Sequence, residues 1–441
     1  MKTSNYKAFS VKNFIQIQQL QRLSKEELKS IEVAGNILPF RVDNYVIDEL
    51  IDWDNYREDP IFRLTFPAKE MILPEHYSIM DSALKENDSR KIAAVRTLIY
   101  KDLNPHPAGQ VKLNIPEQDG RKIPGVQHKY RETVLFFPSA GQTCHSYCTF
   151  CFRWPQFVGI ENLKFATNES EIIADYLCSK PEITDILFTG GDPMIMNFQV
   201  FERYIEPILA VYKRSGLQTI RIGTKALSYW PYKFTTDEQA DDFMRLFEKI
   251  VRSGINLAFM AHFSHPRELE TQVVEQAVRR LRSTGAQIRT QSPVLRHIND
   301  KPEIWSAMWR KQVNLNCIPY YMFIARNTGA KHYFELPLVE AWNIWRKAYQ
   351  RVSGVCRTVR GPSMSCTPGK VQILGVADIQ DKKVFVLRFI QGRNPDWVAR
   401  PFFAEYDPEI TWFDQLKPAF GGKFFFEDEF NTIYNNQPSF E

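Results

Sequence analysis

The sequence predicts an α/β chain organised around a partial (β/α)6 barrel, and three observations carry that expectation. Short β-branched and aromatic runs recur through its middle: TVLFFPS (133–139), TDILFTG (184–190), QTIRIGT (218–224), NLAFMAH (256–262), AQIRTQ (286–291) and NCIPYYMF (316–323). Helical stretches separate them, among them ESEIIADYL (169–177), VFERYIEPILAVYKRS (200–215), ADDFMRLFEKIVRSG (240–254) and RELETQVVEQAVRRLRSTG (267–285). Strand, helix, strand at this rhythm is the pattern of parallel βα units. Finally, each chemically distinctive tag follows a strand: a cysteine loop after the first, GGDP after the second, GTK after the third, HFSHP after the fourth and QSPVLR after the fifth. The carboxyl ends of the strands are where such barrels build their sites.

Residues 1–125 read as a helical wrap around residues 126–335, the barrel. SKEELKSIE (24–32) places a serine three residues before a glutamate, a capping box opening a helix. NDSRKIAAVRTLIYKDLNPHPAG reads as a helix ending at a Pro-Gly turn. Residues 336–441 read as a C-terminal segment that beyond about 355 returns to loops and strands and ends in a Pro-, Phe- and Trp-rich stretch expected to cover the barrel mouth or join subunits. With 441 residues, 44% hydrophobic and 24% charged, the composition is that of a water-soluble globular protein. A net charge of +5 without a lysine-arginine run gives no reason to expect a nucleic-acid groove. No apolar run approaches the ~20 residues of a membrane span, and the first residues lack a signal-peptide pattern. Seven cysteines, an odd number in so long a chain, are not a disulfide framework. A cytoplasmic, reducing compartment is therefore expected.

Cys144, Cys148 and Cys151 stand at spacings of four and three with no fourth cysteine nearby. A closed zinc site takes four ligands, and an electron-transferring [4Fe–4S] cluster is held by four thiolates. Three leave one iron open. His145 could complete the set only by bending back sharply beside Cys144. Cys178, Cys317 and Cys356 read as buried structural thiols. Lys370, in CTPGK, is either a solvated turn residue or an amine whose pKa burial lowers for Schiff-base formation.

The C-x3-C-x2-C pattern with Phe150 before its last cysteine resembles the radical S-adenosylmethionine signature. The resemblance implies a [4Fe–4S] cluster on Cys144, Cys148 and Cys151 whose open iron chelates S-adenosylmethionine. Phe150 would lie against the adenine, with Gly190, Gly191 and Asp192 at the methionine ammonium. From about residue 126 to 375 the chain further resembles the lysine 2,3-aminomutase family, through CTFCFRWPQFVG, FTGGDPM, RIGTKA, AHFSHP, TQSPVLRHIND and IPYYMF in the family's order. EDPIFRLTFP, upstream, fits as well. That implies pyridoxal phosphate on Lys370, the substrate carboxylate on Arg153, Tyr130, Tyr320 and Tyr321 in the cofactor pocket, and Gln291 and His262 near S-adenosylmethionine. His265 is expected to form a turn.

The pattern departs where lysine-specific members carry two aspartates for the substrate ammonium: Arg326 and Ser363 fall at those positions. A cation ~4 Å from an ammonium costs on the order of 1–4 kcal/mol in water-like to surface dielectric. The substrate expected is thus a free amino acid with an anionic side chain, glutamate-like, rearranged by an isomerase that moves the amino group from Cα to Cβ. A radical enzyme without pyridoxal phosphate, modifying a protein, RNA or another small molecule, stays open as the alternative. A flavodoxin- or ferredoxin-type reductant and a homo-oligomer are expected. No zinc is expected, because no cysteine follows Cys366.

Overall fold

A computed structural model describes residues 5–104, 114–158 and 165–435. One sheet of eleven strands organises it, and its spatial order is its chain order. The strands are β1 (Val126–Tyr130), β2 (Thr133–Phe136), β3 (Asp185–Phe188), β4 (Thr219–Thr224), β5 (Asn256–His262), β6 (Gln287–Val294), β7 (Ile318–Ile324), β8 (Arg360–Ser365), β9 (Gly369–Ile379), β10 (Lys382–Gly392) and β11 (Pro401–Glu405). The six expected strands are β2–β7, all parallel. The sheet then runs on through a seventh parallel strand, β8, and an antiparallel β9–β10–β11 extension. On the other side β1 pairs antiparallel with β2.

Thr133, Asp185, Thr219 and Asn256 lie level across β2–β5, so the strands start together and the following loops emerge together. Alternate residues divide the two faces. Ile186, Phe188, Ile220 and Ile222 are completely buried beneath the outer helices. Leu187, Arg221, Gly223, His262, Arg289 and Gln291 sit at the intervening positions and are half-buried, lining a hollow. The outer helices have sequences suited to that place. Ala240–Arg252 buries Phe243, Leu246, Phe247 and Ile250, opens with Asp241 and Asp242 and closes with Lys249 and Arg252, as the helix dipole favours. Phe247 meets Phe259 of β5 edge-on at 5.0 Å between ring centres.

In the N-terminal wrap, Ser24 and Glu27 form the expected capping box on Lys25–Gly35. Asp88 caps Ser89–Leu103; the Pro-Gly turn expected after it lies outside the described residues. Among the described residues no helix is long and apolar enough to cross a membrane.

Candidate active site

The cysteine loop is fixed from two sides. On the barrel side, the amide of Gly191 donates to the Gly141 carbonyl (3.1 Å) and that of Asp192 to the Thr143 carbonyl (2.8 Å). A Cβ at Gly191 would lie 2.4 Å from the Thr143 oxygen, and one at Gly190, where φ is +139°, only 2.1 Å from the Gln142 amide nitrogen. Both positions therefore require glycine. On the outer side the wrap holds the loop. Tyr147 N–H donates to the Arg41 carbonyl (2.8 Å) and Thr149 N–H to that of Leu64 (2.9 Å). The Ser146 hydroxyl donates to buried Asp43 (2.5 Å) and the Tyr6 hydroxyl to the His145 carbonyl (2.6 Å).

The three cysteines are half-buried together. Burial raises each thiol pKa, to about 12 for Cys148 and about 11 for Cys151. Cys144 is also pushed up, by burial, by Asp192 and by the other two thiols. Arg41, Lys225 and Arg153 oppose this on Cys144, Cys148 and Cys151 respectively. Among the described residues no three His, Cys, Asp or Glu side chains close on a point as around a single ion. The positive irons of a cluster, were these thiolates to hold one, would offset the penalty of burying them. His145 packs edge-on to Tyr6 and parallel to Trp230, its Nδ1 buried without a partner among the described residues.

Asp192 works as a tie between strands. One carboxylate oxygen accepts from Met194 N–H (2.9 Å); the other accepts from the Thr224 hydroxyl (2.9 Å) and Lys225 N–H (2.8 Å). Burial raises its pKa to about 6 against these hydrogen bonds. Lys225 in turn pairs at 2.7 Å with Glu268, which has no exposed surface. His262 faces Phe150 at 5.7 Å between ring centres, and burial keeps its imidazole neutral well below the ordinary range. Gln291 lies level with His262 on one side and Tyr321 on the other. His265 caps the turn Pro266–Leu269, as expected.

Deeper in the hollow, the Lys370 amine lies 4.2 Å from the centre of the Tyr321 ring and 5.6 Å from that of Phe323. Burial lowers its pKa to about 7, with Arg221 and Arg360 pushing the same way. Arg153 rests on Phe137 (4.6 Å) and Phe152 (5.1 Å). Burial lowers its pKa to about 10; Cys151 and Cys144 resist and Arg326 adds repulsion, and no carboxylate pairs with it among the described residues. Arg326 lies 5.3 Å from the Phe152 ring and 5.6 Å from that of Trp412, so the C-terminal segment does reach the site. Its Nη1 donates to the Ser365 carbonyl (2.8 Å), while its Nε is buried without a partner among the described residues. Tyr130 and Tyr320 both border the hollow, and burial raises both phenol pKa values. Ser363 is not brought to it: it has no exposed surface, and its hydroxyl is 3.5 Å from the Met322 carbonyl.

Sequence reading passed over Lys129, whose amine reaches across from β1 to the Cys366 carbonyl, and the barrel arginines Arg221, Arg289 and Arg360. The signal was present in QTIRIGT and AQIRTQ, where an arginine interrupts an otherwise strand-like run. One expectation is corrected. Cys317 and Cys356 are buried, but Cys178 is exposed, near the end of the helix Glu171–Ser179 on its outer face.

No family model matches the chain. It is similar to a protein of Aquifex aeolicus (strain VF5) described as "Putative L-lysine 2,3-aminomutase", at 28% identity over 404 residues, 92% of this chain and 94% of that protein. The L-lysine 2,3-aminomutase of Clostridium subterminale is 24% identical over 299 residues, 68% of this chain and 67% of its own. That of Haemophilus influenzae (strain ATCC 51907 / DSM 11121 / KW20 / Rd) is 25% identical over 242 residues, 54% and 66%. A solved radical SAM methyltransferase from Sphaerobacter thermophilus overlaps 54% of this chain and 68% of its own at 15% identity, with a TM-score of 0.37.

Proposed function

Since the chain belongs to the lysine 2,3-aminomutase family of radical S-adenosylmethionine enzymes, we propose that it moves the amino group of a free, anionic amino acid from Cα to Cβ, with glutamate the first candidate. In this reading pyridoxal phosphate is held by Lys370. The observation that carries the substrate class is the pair of guanidinium groups, Arg153 and Arg326, that lie 5.1 and 5.3 Å from the centre of the same Phe152 ring. Two half-buried cations near one another call for anions. Arg153 offers a planar fork to the α-carboxylate, and Arg326 offers an unpartnered Nε to a second carboxylate. A lysine side chain would bring a third positive charge to the same place, at the cost estimated above.

When bound, the cluster with S-adenosylmethionine supplies a radical that removes hydrogen from the substrate, and pyridoxal phosphate supplies the conjugated system across which nitrogen migrates. The chain's own residues hold and enclose. Cys144, Cys148 and Cys151 would hold the cluster, and the Gly190–Gly191 turn lets the loop that carries them pack closely against the end of β3. Phe150 and His262, 5.7 Å apart between ring centres, would line the space beside that loop. A Lys370 amine that is about half neutral near pH 7 can attack a carbonyl carbon.

The test is turnover of anaerobically reconstituted protein with glutamate or lysine, following the 3-amino product by mass spectrometry. Glutamate is expected to be rearranged at least ~10-fold faster, which is ~1.4 kcal/mol and near the low end of the charge penalty. A preference for lysine would overturn the substrate assignment. Borohydride reduction that leaves no pyridoxyl group on Lys370 would overturn the cofactor assignment.

A further inference from the structure

We propose that Tyr229 is a positioning residue for the cluster, acting through Cys148: its hydroxyl donates a hydrogen bond to the thiolate sulfur and so raises the potential at which the bound cluster takes up an electron. This rests on the reading of Cys144, Cys148 and Cys151 as the cluster's ligands and adds to it what sets the cluster's electron affinity.

Tyr229 reaches the cysteine loop from another part of the barrel, the short helix Ala226–Tyr229 that follows β4, and only 1% of it is exposed. Its hydroxyl oxygen lies 3.7 Å from the Cys148 sulfur, its one hydrogen-bond partner among the described residues. While both groups carry protons, either can donate. A thiolate that ligates iron has none, so then only the phenol donates, and the bond becomes charge-assisted. Burial, the Cys148 sulfur and Glu268 all push the Tyr229 pKa well above its ordinary value, so the phenol keeps its proton.

The surroundings fix this donor in place. On one side of it the Ser228 hydroxyl donates to the His262 carbonyl (2.6 Å). On the other, the Trp230 ring meets Tyr6 edge-on at 4.9 Å and lies parallel to His145, the neighbour of Cys144, at 6.4 Å. The Lys225 ammonium stands 4.3 Å from the centre of the Tyr229 ring and is itself held by buried Glu268 (2.7 Å). A cation on the ring face draws electron density from the phenol and makes its proton a better donor.

The three sulfurs differ in what faces them. Cys151 accepts from the Arg153 amide, Cys148 has the phenol, and Cys144 has Asp192, whose negative charge acts the other way. A donor on sulfur takes up negative charge, and there is more of it to take up in the reduced state than in the oxidised one. The reduced state therefore gains more, and the potential rises. Burial and a carboxylate both oppose the added electron. Tyr229 offsets them, so that a milder one-electron donor suffices.

The experiment is a redox titration of the anaerobically reconstituted protein, read by the electron paramagnetic resonance of the reduced cluster. Tyr229→Phe keeps the ring and removes the donor. At any given solution potential its reduced-to-oxidised ratio should fall about 3- to 10-fold, part of the worth of a hydrogen bond to a charged group and roughly 30–60 mV for one electron. 3-Fluorotyrosine at position 229 keeps the shape and strengthens the donor, so the ratio should rise. Tyr147→Phe is the control, since its hydroxyl in the same loop is bonded to Thr143 (2.8 Å); its ratio should match wild type. After exchange into deuterium oxide, pulsed spectra of the reduced wild type should show a coupled deuteron that Tyr229→Phe lacks. An unchanged ratio in Tyr229→Phe at wild-type iron content, or an equal fall in Tyr147→Phe, would overturn the proposal and leave the cluster on its three cysteines. If Tyr229→Phe assembles no cluster, the fluorotyrosine protein decides: a higher ratio supports the proposal, and an unchanged or lower one overturns it. Wild type that assembles no cluster would overturn the ligand reading, and the role of Tyr229 with it.

Discussion

Replacing Gly191 by alanine tests whether the turn after β3 and the cysteine loop form one unit. The added methyl would lie 2.4 Å from the Thr143 carbonyl oxygen, 2.5 Å from its nitrogen and 2.7 Å from its carbonyl carbon. Carbon atoms rest ~3.5–4.0 Å apart, so one backbone must retreat by roughly 1 Å. Neither has a flexible side chain to yield instead. Overpacking of this kind costs ~1–3 kcal/mol. The retreat also stretches the Gly191–Gly141 and Asp192–Thr143 hydrogen bonds, each worth ~1 kcal/mol. The expected total is ~2–5 kcal/mol, delivered one residue before Cys144. Anaerobic urea unfolding should show a lower midpoint, and iron bound per chain should fall well below wild type. Gly354→Ala is the control, because nothing lies within 4 Å of its added methyl; its midpoint should stay within ~0.5 kcal/mol of wild type. A Gly191→Ala protein with wild-type iron content and unfolding midpoint would refute the idea that the two turns are keyed together.

Lys370 gives a pH prediction. With an amine pKa near 7 rather than the ordinary ~10.4, trapping of pyridoxal by borohydride should rise through pH 6–8 and then level; a rise continuing to pH 10 refutes it. Because the unfolded chain keeps that proton to higher pH, wild-type stability should climb between about 7 and 10.4, and Lys370→Met should flatten that slope. Arg326→Asp should move the glutamate-to-lysine rate ratio at least ~10-fold toward lysine, with Arg326→Gln between; an unchanged ratio places specificity elsewhere. Asp192→Asn exchanges one acceptor oxygen for a donor, leaving buried donors on Met194, or on Thr224 and Lys225, unmatched. It should cost ~1–3 kcal/mol in the same urea assay and weaken S-adenosylmethionine measured by equilibrium dialysis.

What could be read beforehand follows from how local each signal is. β2–β7 were legible because apolar strands alternated with helices, and the cysteine loop because three cysteines sit within eight residues. β8 was not legible: RGPSMS has glycine, proline and two serines where strand formers are expected, and only pairing with β7 makes it a strand. The clamps on the cysteine loop escaped because Tyr6, Arg41, Asp43 and Leu64 meet it across more than eighty residues of chain. Arg289 and Arg360 were hidden for a similar reason: they come from strands 71 residues apart, and only the closing of the sheet turns them onto one tyrosine.

The two ends of the hollow are joined by continuous strands, and that sets the working distance. β4 carries Arg221 toward its start and Thr224, which holds Asp192, at the cluster end. At ~3.3 Å per residue those positions stand about 10 Å apart. β6 repeats the arrangement with Arg289 below and Gln291 above, and β5 ends at His262, level with Gln291. The span between the two ends of β4, β5 and β6 is therefore set by parallel registers rather than by loops. A register is either kept or lost, since a slip of one residue would turn every inward side chain outward. Loops beyond the strand ends can then vary in length without changing the span across which a radical must act. For a reaction that generates a radical at one group and rearranges nitrogen at another, a scaffold with only one available spacing is what the chemistry requires.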